Sequence, residues 1–152
     1  MFKEILKYFA KHDGLVNRFL SVTPGDGYAY FSDTHWLIRI PESDNIYDTA
    51  AMMRVLGQAA APMSAPKFFD IPDESQLLGV ADSGIVQELH NGKRRTKIRK
   101  FNGTDGLEWW VSEEYYKDFL KPLKYFRVHN KKIYGYNDAG VAVVTVCIII
   151  DK

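Results

Sequence analysis

Cysteine is almost missing from the sequence: Cys147 stands alone among 152 residues. A lone thiol closes no internal disulfide and builds no thiolate metal cage, which fits a reducing compartment. An excess of charge of one sign is missing too. Lys and Arg number 20 against 19 Asp and Glu, a formal net charge of +1, so affinity for nucleic acid or membrane has to come from local clustering. The longest apolar run, residues 141–150, contains Thr145 and falls short of the about 18 residues that a membrane span requires. Met1-Phe2-Lys3-Glu4 lacks the charged-then-apolar order of a signal peptide, so a cytoplasmic protein with no membrane partner is expected. His12, His35, His90 and His129 lack metal-ligand spacing, and neither metal nor cofactor is expected. What is present is apolar surface: 46% hydrophobic residues, nine Tyr, nine Phe and three Trp suffice for one domain with a real core.

Along the chain, Phe2, Ile5, Leu6 and Phe9 hold the spacing of an amphipathic helix over 2–12. Strands are expected at 17–22, 28–32 and 35–40, a helix at 46–61, and a connection rich in Pro, Ser and Asp at 62–83. Asn91-Gly92 is a favoured two-residue turn and predicts a hairpin from 85–90 and 93–101. A strand follows at 107–111. Ser112 then caps a helix from Glu113 to about Lys121, which Pro122 ends, and three strands follow at 125–128, 132–136 and 141–150.

Both ends of the chain thus read as a helix followed by three strands, and residues match as well as order. Phe2-Lys3-Glu4-Ile5-Leu6-Lys7 aligns with Tyr116-Lys117-Asp118-Phe119-Leu120-Lys121, and Tyr30-Phe31-Ser32-Asp33 with Gly135-Tyr136-Asn137-Asp138. An internal duplication follows. This plan resembles a single domain of the bacterial DNA sliding clamp, the DNA polymerase III β subunit. The segment Ser32-Asp33-Thr34-His35-Trp36-Leu37-Ile38-Arg39 is similar to the family's third-strand segment, and 107–150 to the end of a clamp. The resemblance covers 2–41 and 107–150. It implies an α+β, DNA-clamp-like fold of two pseudo-symmetric helix-plus-strands halves, about 1–60 and 85–152 around a connection at 61–84, with two helices on one face. It departs from the family in lacking a strand ahead of the first helix, in Pro122, and in having one domain where a clamp subunit has three.

Two cationic features bear on function. Lys3, Lys7 and Lys11 form one helical stripe and Lys117, Lys121 and Lys124 another, each opposite an apolar face. In a clamp such faces meet phosphates without reading sequence; the other reading is a solvated helix face. Six cations in eight residues lie at 93–100, where alternation puts Arg95, Lys97 and Arg99 on one face and Arg94 on the other. That strand binds nucleic acid or an acidic protein segment, or is an edge guarded by charge. Trp109 and Trp110 point to opposite faces, which leaves one indole to the core and the other to a partner or to cover by the 62–83 connection. Nucleophile and base do not occur together, and Cys147 falls in an apolar strand, so no enzyme is expected. The expectation is a non-enzymatic, clamp-like protein with weak, sequence-independent association with double-stranded DNA, as a replication accessory. The alternative is a protein interaction module with no DNA role. A monomer or weak homodimer is expected, because few acidic residues lie near a second edge that could close a ring.

Overall fold

The computed structural model describes residues 2–11, 19–22, 27–33, 35–41 and 78–150. The helix expected at 46–61, the connection at 62–77, the turn at 23–26 and His12 lie outside the described residues.

Helix α1 spans Phe2–Lys11. Ile5 and Tyr8, three residues apart, are buried, while Lys3, Lys7 and Lys11, four apart, are exposed, as one turn per 3.6 residues dictates. Among the described residues nine strands follow: β1 (Phe19–Val22), β2 (Tyr28–Ser32), β3 (Trp36–Pro41), β4 (Leu78–Asn91), β5 (Arg94–Gly103), β6 (Glu108–Ser112), β7 (Tyr125–His129), β8 (Lys132–Tyr136) and β9 (Ala142–Val146). Between β6 and β7 lies α2, one α-helical turn at Glu113–Tyr115 that widens into a π-helical turn at Tyr116–Leu120. Ser112 caps it by accepting the Tyr115 N–H. Pro122 follows at once, and its ring removes the donor that a further turn would need.

The strands form one antiparallel sheet in the order β1-β2-β3-β9-β8-β7-β4-β5-β6. Two meanders, β1 to β3 and β7 to β9, meet where β3 pairs with β9, from Trp36↔Thr145 to Arg39↔Ala142. Alternation along these strands divides the apolar residues between the two faces. Trp36, Ile38, Ile133 and Val143 face the helices and pack with Ile5, Tyr8, Phe119 and Leu120. Leu37, Tyr134, Ala142 and Val144 form a second buried cluster with Tyr30. Tyr8 ties α1 down twice. Its ring meets Trp36 edge-on at 5.3 Å, and its hydroxyl donates to the buried Asp33 carboxylate at 2.7 Å. Burial and that carboxylate push the phenol well above its ordinary value. Gly135 lets α2 approach β8, because a Cβ there would stand 2.7 Å from Leu123 Cδ1.

The expected α+β fold, two matched helix-plus-strands halves with two helices on one face, is corrected by this architecture. The described chain is mostly one antiparallel sheet with two short helices. Two physical reasons account for the difference. Pro122 cuts α2 to two turns of unequal type. Residues 78–83, expected as connection, extend β4 to 14 residues, so β4, β5 and β6 form a unit without a counterpart among the described residues of the first half. The apolar C-terminal strand is also shorter than expected. It ends at Val146, after which Ile148 donates its N–H to the Trp110 carbonyl at 2.7 Å.

Candidate functional site at the base of a two-stranded arm

Strand β6 pairs with β5 only from Asn102 to Ile98. From Glu88↔Lys97 to Asn91↔Arg94 the β4–β5 pair continues alone, so the hairpin projects from the sheet as a two-stranded arm. Gly92 turns its tip with φ 61°, the left-handed geometry that the Asn-Gly pair favours.

A bulge between Asp82 and Val86 marks the base of the arm. The Asp82 carboxylate accepts the N–H of Gly84 at 2.9 Å, and Gly84 has φ 74°. Ser83 Oγ donates to the Lys100 carbonyl at 2.8 Å. Re-aimed in this way, Asp82 reaches Arg99, accepting from Nη1 at 3.1 Å, and takes the Tyr116 hydroxyl at 2.7 Å. The Arg99 guanidinium bonds Glu113 with two nitrogens, Nε at 2.6 Å and Nη2 at 3.0 Å, and lies 4.0 Å from the Tyr116 ring centroid. Arm, bulge and α2 are thereby clasped around one cation. Hydrogen bonds from Arg99 hold the Glu113 carboxyl below the ordinary carboxylate range. At Asp82 burial works upward, but the bonds from Tyr116, Gly84 and Arg99 outweigh it and the net direction is down. Arg99, bonded first to Glu113 and then to Asp82, is held firmly charged.

Above this clasp opens a cleft of about 370 Å³. Its cations come from three elements: Lys11 of α1, Arg94, Arg95 and Lys97 of the arm, and Lys117 of α2. Glu113, Glu114 and Asp118, on α2 with Lys117, also line it. Lys11 pairs with Glu114 at 2.6 Å and Lys117 with Glu113 at 3.4 Å. Arg94, Arg95 and Lys97 are exposed, and among the described residues they form no ion pair. The structure therefore gathers five of the ten cations singled out in the sequence and sets Arg99 beneath them as the structural tie. Lys3, Lys7 and Lys121 are exposed and do not line the cleft. Lys124 lies elsewhere, paired with Asp138 at 3.0 Å.

The two indoles take different places. Trp110 is buried, and Trp109 packs half-buried on the core with its N–H buried and without an acceptor among the described residues. Asp82, Glu113 and Tyr116 are the site residues that sequence reading missed; the Ser112 cap before Glu113 was the one local signal. Among the described residues no group of three or more His, Cys, Asp or Glu is placed to hold a metal, and no helix is long and apolar enough to cross a membrane. Burial pushes the Cys147 thiol up to about 12, which leaves it protonated and a poor nucleophile at neutral pH. Comparison with protein families, curated proteins and solved structures finds no match.

Proposed function

We propose that the protein associates non-enzymatically with double-stranded DNA, without reading sequence, through the arm and its cleft. The observation that carries this is the set of three arm cations, Arg94, Arg95 and Lys97, left without ion pairs beside Lys11 and Lys117. Exposed point charges on a strand meet phosphates by Coulomb attraction and counterion release, which ignores base identity. A two-stranded ribbon also suits the major groove, which is about 12 Å wide. Nothing in this reading needs a closed ring. A purely protein-binding role through Trp109 and Trp110 has less support, because neither indole stands free of the core.

The test is fluorescence anisotropy with two unrelated duplexes of about 30 base pairs, between about 50 and 200 mM salt. Equal affinity for both duplexes and a log–log salt slope of about −3 to −5 are expected. Reversing Arg94, Arg95 and Lys97 to Glu removes the binding. Absence of binding at low salt, or a tenfold preference for one duplex, overturns the reading.

A further inference from the structure

The arm has a second side that the proposed DNA contact does not use. Strand β4 pairs with β7 at two positions only, Leu78↔Val128 and Gly79↔Arg127. Both strands continue past that point, so the sheet forks, and from Val80 onward β4 has β5 on one side and no strand on the other among the described residues. From Val80 to Asp82 its open edge runs in regular register with β5. At the bulge the N–H groups of Gly84 and Ile85 are taken by Asp82 Oδ1 and Ser83 Oγ, and two apolar side chains are exposed there, Ile85 at 44% and Val86 at 40%.

The fork holds a crevice of about 530 Å³. Val80, Phe126 and Val128 pack into the core, so alternation directs Gly79, Ala81, Tyr125 and Arg127 to the opposite face. The small Gly79 and Ala81 lie at the crevice, with Tyr125 and Arg127 across from them. The lining contains the cations Lys124 and Arg127 and no carboxylate. Lys124 is engaged by Asp138, whereas Arg127 forms no ion pair among the described residues.

We propose that the β4 edge beginning at this fork, with main-chain bonds at Val80 to Asp82 and apolar contact at Ile85 and Val86, docks an extended acidic segment of a partner protein. Main-chain bonds to an open strand supply affinity in such recognition, and pockets for alternate side chains supply specificity. Here an apolar side chain covers Ile85 and Val86, and a carboxylate reaches Arg127 as a charge-assisted, bidentate pair. The acidic character follows from the lining, which would repel a basic segment and leaves the Arg127 guanidinium unanswered. The proposal stands apart from the DNA reading, since it uses the opposite edge of the arm.

The experiment is selection of a displayed library of random decapeptides against the full chain, followed by anisotropy with the enriched peptides. Peptides rich in Asp or Glu are expected. Their affinity falls about tenfold or more in Arg127→Glu and in Ala81→Trp, which fills the crevice. It falls similarly in Ile85→Lys, a charge that blunts an edge. Reversal of Arg94, Arg95 and Lys97 to Glu leaves it within about twofold. Circular dichroism establishes that each variant is folded. No enrichment, enrichment without acidic residues, equal loss on reversing the three arm cations, or a stable homodimer that Ile85→Lys dissociates each overturns the proposal.

Discussion

Where β3 meets β9, Trp36, Ile38, Ala142 and Val143 are buried on both faces of the sheet. Along the arm, from Glu88 to Lys97, every residue except Leu89 and Thr96 is exposed. The same antiparallel pairing therefore rests on different physics in the two regions. The meanders are held by apolar area removed from water, which is non-directional and distributed over many side chains. The arm is two strands wide and buries little, and an isolated two-stranded hairpin is marginal in water. Its attachment rests on a few directional bonds at its base, the Asp82–Arg99–Glu113 clasp. One region is built to persist, and the other to carry charge into solvent from a fixed root.

The largest expected effect lies in the meanders. Trp36→Ala removes a ring that touches Tyr8 at 5.3 Å and Phe119 at 4.6 Å, and deleting such a core side chain lowers stability by about 3–5 kcal/mol. Thermal unfolding should show this as a fall in Tm of roughly 10 °C. Reversal of the three arm cations should leave Tm almost unchanged while removing DNA binding. If both variants lower Tm alike, the division between a persistent sheet and a solvated arm is wrong.

Next in size is the clasp. Arg99→Met keeps the apolar stem over Tyr116 but leaves Glu113, with its side chain 6% exposed, paired among the described residues with Lys117 alone. Breaking a mostly buried pair in this way costs about 2–4 kcal/mol. Hydrogen exchange distinguishes this loss from a core defect: protection should fall along the arm and α2 first, with β3, β8 and β9 little changed. Uniform loss across the sheet would mean that the arm is no separate unit.

The clasp also has a pH signature. Asp82 and Glu113 titrate below their ordinary values of 3.8 and 4.5. Because the folded-state values are the lowered ones, the stability that the clasp supplies is fully present above about pH 4.5. It is lost as pH falls through the lowered values. Glu113→Gln should therefore destabilise the protein at pH 7 and do so progressively less as pH falls below about 4.5, read as the difference in Tm from the parent chain. A difference that grows on acidification would refute the clasp.

Much of this layout is legible in the sequence, and the misses have a common cause. Asn91-Gly92 announces the hairpin, and the alternation of Tyr28, Tyr30 and Leu37 with their neighbours announces β2 and β3. The start of β4 is hidden because Gly79, Asp82, Ser83 and Gly84 have turn composition. They are strand and bulge here because β5 supplies partners from Val80↔Gly103 onward, a tertiary demand that local propensity does not contain. Arg99 reads as one more cation of a basic strand for the same reason. Its carboxylates come from positions 17 residues before and 14 after it, and only the fold brings them together.

The smallest effect expected concerns the helix stripes. Lys3, Lys7 and Lys121 are exposed, yet they do not line the cleft. Along α1, at about 1.5 Å per residue, Lys7 lies roughly 6 Å and Lys3 roughly 12 Å from Lys11. The Debye length at physiological salt is about 8 Å, so their fields are partly or largely screened where the arm would meet phosphate. Reversing all three to Glu should weaken DNA binding by less than about threefold at 0.15 M salt, and by more at lower ionic strength. The reversal of Arg94, Arg95 and Lys97, by contrast, removes binding at either salt concentration. Should the helix variant lose binding as completely as the arm variant, the contact lies on the helical face that the sequence first suggests, and the arm serves another purpose.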